Sequence, residues 1–447
     1  MPAATDSILS NPREAGGELP ACGARVCISG FGRDEHAELT RLVERAGYVP
    51  TPFAAGASAV LVPAPAPPGV IEEAARAGRK VLFPASFREA ERTRGRRSAI
   101  DVNEEWVRIL DVTLPRRAPG GVLPPDERFA HLCLDAKFLA AARAVAIGAR
   151  SRLPCALEGD TAVAKTTAVM WVAHLCRQEA VRLNLSGQSD TGELVGRFIP
   201  GTVAGEALWR FWEGVIPDAM RHGRWVLLDE INLAEPQVLE RLNPVLEQHP
   251  SLLLSEHLGE RFGHGGDVPL AEDFRIYATM NGAEYSGRSV LSPAFRDRFS
   301  LWNILEAPGE AEYRALLMRL VHGCHPSFVL DGVEWRAPDG EPVHPGLDQE
   351  PGIDSLLERF ASFHAAISAA AGGPAGSDLG RSRRERYVFT RRTILVAMKL
   401  LADLAAAGIG IEAAAREAVE IVYLQRVQPG ADRQAVRTSL RTAGLAR

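Results

Sequence analysis

The sequence lacks the features that mark secreted, disulfide-stabilised or membrane-spanning proteins. Its 447 residues include only six cysteines, and no two of them form a Cys-x-x-Cys pair, which favours reduced thiols over a disulfide framework or a zinc site. No apolar stretch is long enough to span a bilayer, and the N-terminus has no charged segment followed by an apolar one. We therefore expect a cytoplasmic protein with no membrane partner.

A strong net charge of either sign is also missing. The formal net charge is −5 at pH 7, which gives no general signal for binding to nucleic acid or to an anionic membrane. A short basic run at residues 381–386 is more typical of a solvated segment than of a nucleic-acid site. Hydrophobic residues make up 46% of the chain, which is enough for the cores of two or three domains.

The sequence does contain a pattern for binding phosphate. Between an apolar run at 154–158 and a helical pattern at 166–175, residues 159–166 match Gly, four free positions, then Gly-Lys-Ser/Thr, with one departure. In such a loop, backbone N–H groups converge on the phosphates at a helix N-terminus. The candidate nucleotide-binding residues are Gly159, Asp160, Thr161, Ala162, Val163, Ala164, Lys165, Thr166 and Thr167.

The departure is Ala164, which stands where the pattern has glycine. A methyl group at this position costs free energy if φ is positive and little if φ is negative. Lys165 is predicted to reach the outer phosphates, and Thr166 to hold Mg²⁺ through its hydroxyl. A chance match in a chain rich in glycine and alanine is the alternative interpretation.

Two further strand patterns end in polar residues that suit nucleotide hydrolysis. The apolar run 224–228 leads to Asp229 and Glu230, so that Asp229 can hold Mg²⁺ through water while Glu230 activates the attacking water. The run 274–280 ends at Asn281, which can position that water, because open α/β sheets bind ligands at the carboxyl edge.

Two arginines follow a short helical segment later in the chain. Arg296 and Arg298 are each able to stabilise charge on a γ-phosphate, and such an arginine is often supplied by a neighbouring subunit. These positions complete a set of residue types that nucleotide hydrolysis requires.

Taken in order, these motifs closely resemble those of AAA+ ATPases of the MoxR, midasin and dynein-related group. The resemblance covers about residues 130–430, and it rests on the segments 183–191, 228–234, 239–243, 278–281 and 291–299. It implies ATP and Mg²⁺ as cofactors. By this resemblance the functional residues are Lys165 and Thr166 (Walker A), Asp229 and Glu230 (Walker B), Asn281 (sensor 1) and Arg298 (the preferred arginine finger), with Arg296 as the alternative finger.

The same resemblance implies a helical lid and an oligomer. Residues 389–395 are similar to the sensor 2 segment, with Arg392 in the register of the family's arginine and Arg391 as an alternative. A homo-oligomeric ring is implied, for which a hexamer is one candidate, and a von Willebrand A-type protein is a candidate partner. A hairpin is implied at residues 196–201 and 207–214, whose aromatic side chains either face a central pore or pack against the core.

The first hundred residues lie outside this resemblance. Strand patterns at 25–31, 58–62 and 80–83, a turn at 47–49 that leads into a further strand, and helical patterns at 35–46 and 70–77 give a βαββαβ order. This order resembles a BRCT domain over about residues 22–95. Such domains bind partner proteins and sometimes phosphopeptides. Ser29 and Gly30 match half of the family's phosphate grip, but residues 69–77 contain no lysine, and Phe87 stands nearest to the usual tryptophan. A generic small α/β domain is the alternative.

Together these patterns predict an α/β protein: a P-loop NTPase (AAA+) parallel sheet with a C-terminal helical lid, preceded by a small α/β BRCT-like domain. The predicted boundaries are a flexible tail at 1–21, the BRCT-like domain at 22–95, a Pro/Gly-rich linker region at 96–130, the ATPase core at 131–305 and the lid at 306–447, with a low-complexity loop near 369–386.

The functional hypothesis is an ATPase that binds and hydrolyses Mg-ATP at subunit interfaces to remodel or assemble a partner protein complex. The BRCT-like domain would recruit that client or adaptor protein. One alternative is a nucleotide-dependent scaffold with little or no turnover, because Ala164 interrupts the phosphate loop. Another is an ATPase subunit of a nucleic-acid-processing or defence complex, although nucleic acid is not indicated by the sequence.

Overall fold

The computed structural model describes most of the chain after residue 95 and shorter pieces before it. The described residues are 25–29, 31–32, 35–37, 39–40, 43, 49–51, 59–63, 76, 80–82, 96–118, 123–160, 163–203, 206–282, 291–372, 379–380 and 387–446. The chain divides into two compact units, Met1–Arg97 with Leu330–Glu334 and Ser98–Val329 with Trp335–Arg447. Several predicted features lie outside the described residues, namely the tail at 1–21, Gly30, Phe87, Thr161, Ala162, and residues 373–378 and 381–386 of the low-complexity loop.

The first unit contains a four-stranded parallel sheet. Its strands are β1 (Arg25–Ile28), β2 (Val49–Thr51), β3 (Ala59–Leu61) and β4 (Lys80–Leu82), in the order β2–β1–β3–β4. Buried side chains of β1 and β3 pack with Leu39 and Val43, which lie in described helical residues of the predicted helix 35–46. The positions of the four predicted strands are confirmed, and the BRCT-like identity stays a prediction.

Residues 96–115 correct the expectation of a linker at 96–130. They contain the strands β5 (Arg96–Ser98), β6 (Ile100–Val102), β7 (Trp106–Ile109) and β8 (Val112–Pro115), and the last three form an antiparallel sheet. Alternate residues of β7 and β8 are buried, namely Val107, Ile109, Val112 and Leu114. Burial of this apolar face stabilises the sheet although turn-forming residues follow closely. Pro115 ends an edge strand, where its missing N–H removes no ladder hydrogen bond.

The second unit continues with alternating strands and helices. Its strands are β9 (Cys155–Gly159), β10 (Ala180–Asn184), β11 (Gly196–Val203), β12 (Glu206–Glu213), β13 (Trp225–Asp229), β14 (Ser251–Leu254), β15 (Glu260–Gly263), β16 (Arg275–Met280) and β17 (Leu301–Leu305). Two further strands, β18 (Ser327–Leu330) and β19 (Val333–Arg336), include residues of both units, because Leu330–Glu334 belongs to the first. Its helices are α1 (Ala136–Ser151), α2 (Lys165–Leu175), α3 (Thr191–Leu194), α4 (Val215–His222), α5 (Pro236–Glu240), α6 (Pro293–Asp297), α7 (Glu310–His322), α8 (Ile353–Gly372), α9 (Arg391–Ala406), α10 (Ile411–Val419) and α11 (Ala431–Thr442). Short 3₁₀ helices span Asp126–Phe129, Ile231–Leu233, Asn243–Leu246 and Leu347–Gln349, and a π-helix spans Glu420–Leu424.

A five-stranded parallel sheet forms the centre of this unit, in the order β10–β13–β16–β9–β17. Every residue of β13 is buried, as expected for a parallel strand that helices cover on both faces. Parallel pairing places the carboxyl ends of the strands at one edge, and β9, β13 and β16 lead there into the predicted site residues. The predicted P-loop α/β fold class is confirmed.

Two hairpins extend from this sheet region. β11 and β12 pair antiparallel where the hairpin insert is predicted, and β14 and β15 form a second antiparallel hairpin. In the first hairpin Phe211 stacks on His257 with ring centroids 4.4 Å apart, whereas Trp209 and Trp212 are 72% and 60% exposed. Of these three aromatic residues, Phe211 therefore packs against a neighbouring ring, whereas Trp209 and Trp212 remain on the surface.

The helices α7 to α11 form the predicted helical lid around a second apolar core. Leu317, Leu320, Phe360, Ile394 and Met398 are among its fully buried side chains. The π-helix carries Tyr423 into this core, where its hydroxyl lies 2.6 Å from Nδ1 of the buried His364. Across the described residues, no helix combines the length and apolar character needed to cross a membrane.

His325 joins the lid region to the segment before α1 through a bond that depends on its protonation state. Its side chain is 8% exposed, and its Nδ1 accepts a hydrogen bond from the Leu134 backbone N–H at 3.1 Å. Burial, with a smaller effect of Arg319, lowers the pKa of His325 to about 4. The unfolded chain takes up a proton below about pH 6.5 whereas the folded chain does not, so stability is lost as the pH falls from 6.5 through 4.

We predict that lowering the pH from 7 to 5 reduces the free energy of unfolding, with His325 contributing about 1 to 2 kcal/mol of the change. His325→Gln keeps an acceptor for Leu134 but takes up no proton, so its free energy of unfolding, measured in urea, should fall less over this range. His249→Gln at an exposed histidine is the matched control. Equal pH dependence in the unchanged protein and His325→Gln would contradict the prediction.

Candidate functional site

A cavity of ≈ 300 Å³ lies at the carboxyl edge of the central sheet. Its lining combines the phosphate loop, the ends of β13 and β16, and one arginine from the lid. The described lining residues are Arg128, Phe129, His131, Ala164, Lys165, Thr166, Thr167, Met170, Arg182, Asp229, Glu230, Thr279, Met280, Asn281 and Arg392. Most of the predicted site residues are therefore brought together.

Lys165 is the first residue of α2 and is nearly buried at the floor of the cavity. Its Nζ donates hydrogen bonds to the carbonyl oxygens of Gly159 and Asp160, both at 2.7 Å, and to Oδ1 of Asn281 at 2.9 Å. A buried ammonium needs such acceptors, because leaving it without them costs several kcal/mol. Lys165 and Asn281, which lie far apart in the chain, thus meet at one point.

Two backbone positions in the phosphate loop are tightly constrained. A Cβ on Gly159 would lie 2.7 Å from the carbonyl oxygen of Leu305, so only glycine fits beside β17. Ala164 has φ 68° and ψ 23°, in the left-handed region, and it precedes α2 without a side-chain cap. The substitution of glycine by alanine at this point therefore carries the strain that a positive φ imposes.

Asp229 is a buried residue whose carboxylate is held by three side chains. Its Oδ1 accepts hydrogen bonds from the Thr166 hydroxyl at 2.9 Å and from the Thr279 hydroxyl. Its Oδ2 accepts from Nε of Arg182 at 2.7 Å. Hydroxyl and carboxylate oxygens are the ligand types that Mg²⁺ prefers, so Thr166 and Asp229 form a suitable pair for that ion.

Glu230 follows Asp229 in the left-handed conformation, with φ 56° and ψ 44°. Its Oε1 accepts a hydrogen bond from Nδ2 of Asn281 at 3.3 Å, and its backbone N–H donates to the Thr279 hydroxyl at 3.3 Å. Asn281 thus contacts both Lys165 and Glu230 through the two atoms of one amide group.

The lid supplies Arg392 to the cavity but uses Arg391 elsewhere. Arg391 forms an ion pair with Asp135 at 2.6 Å, in which the two side chains are 11% and 4% exposed. The other oxygen of Asp135 caps α1 by accepting from the Phe138 backbone N–H at 2.8 Å. Of the two arginines left open by the sequence, Arg392 is the one that faces the nucleotide-binding residues.

Arg296 and Arg298 are absent from the described lining of this cavity. Arg296 lies over the ring of Trp302 at 4.3 Å and pairs with Glu158 at 3.2 Å. Arg298 forms an ion pair with Glu247. Neither arginine is among the described residues that line the cavity of its own chain, and the role of either as an arginine finger stays a prediction.

The cavity also contains residues that the sequence patterns did not assign to the site: Arg128, Phe129, His131, Met170, Arg182, Thr279 and Met280. Thr279 lies in the strand that leads to Asn281, so its position in that strand was a usable signal. Arg128 and Phe129 lie in the supposed linker and His131 directly follows it, where no periodic pattern marked them. Burial lowers the pKa of His131, which favours its neutral form.

Comparisons with known proteins match the central part of the chain. Residues 154–299 match the family of the AAA domain (dynein-related subfamily). Midasin of Dictyostelium discoideum is 37% identical over 154 residues, which are 33% of this chain and 2% of that protein. Midasin of Giardia intestinalis is 30% identical over 170 residues, which are 38% of this chain and 3% of that protein.

A bacterial protein and a solved structure are also similar to this chain. The uncharacterized protein YojN of Bacillus subtilis is 27% identical over 161 residues, which are 36% of this chain and 50% of that protein. A solved structure from Cytophaga hutchinsonii, assigned provisionally as an ATPase, covers 70% of this chain and 92% of that chain, with 17% identity and a TM-score of 0.33. The matched region thus spans half or less of these curated relatives, and what is shared is an AAA domain, which implies nucleotide binding.

Ala164→Gly should stabilise the protein. Glycine relieves the left-handed strain of about 1 to 2 kcal/mol, and the greater freedom of the unfolded chain offsets part of this gain. We expect the free energy of unfolding in urea to rise by up to about 1 kcal/mol. Ala140→Gly, at an exposed position within α1, is the matched control and should lower it by about 0.5 to 1 kcal/mol. Loss of stability in both variants would contradict the strain at Ala164.

Proposed function

We propose, from the premise that residues 154–299 match the AAA domain of the dynein-related subfamily, that this protein is an ATPase that drives the remodelling or assembly of a partner protein complex. The observation that carries the proposal is the contact network of Lys165, Thr166, Asp229, Glu230 and Asn281 around one cavity. A protein that only holds nucleotide has no chemical need for Glu230 and Asn281 in these positions.

Binding of the triphosphate is supported by the loop before α2 and by positive charge. The loop lies at the N-terminus of α2, where backbone N–H groups and the helix dipole favour anions. Lys165 and Arg392 line the same cavity and bring two cations to the phosphates. Thr166 and Asp229 would hold Mg²⁺, which when bound supplies charge neutralisation for the β- and γ-phosphates.

Hydrolysis requires a base and a group that orients the attacking water. Glu230 is the base in this proposal, because its carboxylate lies in the cavity beside the γ-phosphate-binding residues. Asn281 donates to that carboxylate at 3.3 Å and so fixes its direction. The proton of the water passes to Glu230 as the water oxygen attacks the γ-phosphorus atom and ADP departs.

Completion of the site by a neighbouring subunit is part of the proposal. Arg298, with Arg296 as the alternative, lies outside the cavity of its own chain and carries the charge needed to stabilise the transition state in trans. A homo-oligomeric ring, a hexamer being one candidate, would present this arginine to each site. The exposed Trp209 and Trp212 and the N-terminal parallel sheet, proposed as BRCT-like, are surfaces for a client or adaptor, with a von Willebrand A-type protein as one candidate.

A nucleotide-dependent scaffold is the second candidate, and the conformation of Ala164 favours it. A strained residue next to Lys165 can hold the loop in a geometry that binds nucleotide but supports slow turnover. In that case nucleotide would set assembly alone. The two candidates differ in whether ATP is consumed.

Glu230→Gln should abolish turnover while keeping ATP bound. Removing the base should lower the steady-state rate of phosphate release at least about 100-fold, because general-base catalysis contributes about 10² to 10⁴. The amide keeps the size of the side chain and leaves Lys165 and Thr166 in place, so ATP affinity measured by calorimetry should change little. Lys165→Ala is the contrasting variant and should lose binding.

If the unchanged protein binds ATP but releases phosphate only at the background rate, the ATPase proposal is wrong and the scaffold proposal stands. A Glu230→Gln variant that turns over ATP like the unchanged protein would remove Glu230 from its role. Both measurements use the full-length chain, and size-exclusion chromatography with ATP reports the oligomer in parallel.

Mixing two inactive variants tests whether the arginine acts in trans. Arg298→Ala alone should lower phosphate release about 10³-fold, as loss of an arginine finger does. A mixture of Arg298→Ala and Glu230→Gln should recover activity, because a subunit with intact Glu230 then meets a neighbour with intact Arg298. The same mixture made with Arg296→Ala decides between the two arginines. Activity of the mixture that stays at the level of the separate variants would contradict a trans arrangement.

A further inference from the structure

Arg182 is a charged residue of the cavity that none of the recognised motifs includes. It lies in β10, which pairs in parallel with β13, and Asn184 at the end of β10 is in register with Asp229 at the end of β13. Arg182 therefore lies two residues before the end of its strand, and its side chain extends along the sheet to Asp229. Its Nε and Nη2 both lie on Oδ2 of that carboxylate, at 2.7 Å and 2.5 Å.

The two oxygens of Asp229 are consequently divided between two kinds of partner. Oδ2 belongs to Arg182, whereas Oδ1 accepts from the hydroxyls of Thr166 and Thr279. Thr166 is the residue that would hold Mg²⁺ together with Asp229. Arg182 thus contacts one oxygen of the Asp229 carboxylate, and the proposed Mg²⁺ site lies at the other oxygen.

The surroundings of Arg182 place it on the cavity as well as on Asp229. Its side chain is 47% exposed and lines the cavity, in contrast to the carboxylate, which is 5% exposed. Among the described lining residues, Arg128, Lys165, Arg182 and Arg392 are cationic, and Asp229 and Glu230 are anionic. The protein itself therefore supplies more positive than negative charge to this cavity.

We propose that Arg182 is a built-in cation that shares Asp229 with Mg²⁺ and makes nucleotide binding less dependent on the metal. This inference rests on the proposed function, since it concerns the same ATP site. Arg182 attracts the triphosphate directly through its exposed guanidinium. It also repels a divalent ion on the other oxygen of Asp229, because two cations at one carboxylate oppose each other.

The consequence is a negative coupling between Arg182 and Mg²⁺. Each cation neutralises phosphate charge, so each contributes less when the other is present. Loss of Arg182 should then matter most in the absence of divalent ions. A residue that only supports the fold would instead weaken binding equally under both conditions, and a residue that only orients Asp229 for the metal would matter more when Mg²⁺ is present.

The test measures ATP affinity by isothermal titration calorimetry in excess EDTA and in saturating magnesium chloride. Arg182→Gln should bind ATP about tenfold more weakly than the unchanged protein in EDTA, and less than about threefold more weakly in Mg²⁺. Arg182→Lys keeps the charge and should recover most of the affinity in EDTA. Arg314→Gln is the matched control, because Arg314 pairs with Glu358 on an exposed surface and should change neither value.

Two results would overturn the inference while leaving the proposed function intact. One is an equal loss of affinity for Arg182→Gln in EDTA and in Mg²⁺, and the other is a larger loss in Mg²⁺. Thermal unfolding of each variant excludes a general loss of structure as the source of a difference. Failure of the unchanged protein to bind ATP in both conditions would instead overturn the proposed nucleotide site, and this inference with it.

Discussion

The buried ammonium group of Lys165 is the constraint on which the rest of the site depends. A charge with this little exposure must be surrounded by acceptors, which here are two carbonyl oxygens of the phosphate loop and the side chain of Asn281. Asn281 reaches Lys165 only because β16 lies beside β9 in the parallel sheet. The contacts of Lys165 therefore couple the order of the strands, the shape of the phosphate loop and the start of α2. Asn281 also donates a hydrogen bond to Glu230 and so positions that side chain.

The sequence predicted those site residues whose place in the fold follows from their position after a strand. Asp229, Glu230 and Asn281 each follow an apolar strand, so their place at the carboxyl edge could be predicted. Arg182 lies within a strand, and its direction depends on which face of β10 meets the cavity, which a shift of one residue would reverse. For Arg391 and Arg392, adjacent on one helix, a rotation of about 100° decides which of them faces the nucleotide-binding residues.

Most of the fold could also be predicted from positions along the chain, but the prediction was wrong for one segment. Apolar runs marked the strands of the central sheet, and the resemblance to AAA+ ATPases implied the helical lid. The strands at 100–115 were missed because prolines and glycines follow closely, although Val107 and Ile109 alternate with more exposed residues. The sequence left the strain at Ala164 dependent on the sign of φ, which the structure shows to be positive, and no pattern marked the positive φ of Glu230.

The ion pair between Asp135 and Arg391 gives movement of the lid a specific cost. Arg391 is the neighbour of Arg392, so a lid that swings away from the cavity withdraws both guanidinium groups from the core. Asp135 would then lose its cation while still capping α1, and its carboxylate, which is 4% exposed, would have to be hydrated. Separation of α9 from the start of α1 would thus expose two buried charged side chains to water, so the pairing of Asp135 with Arg391 opposes it.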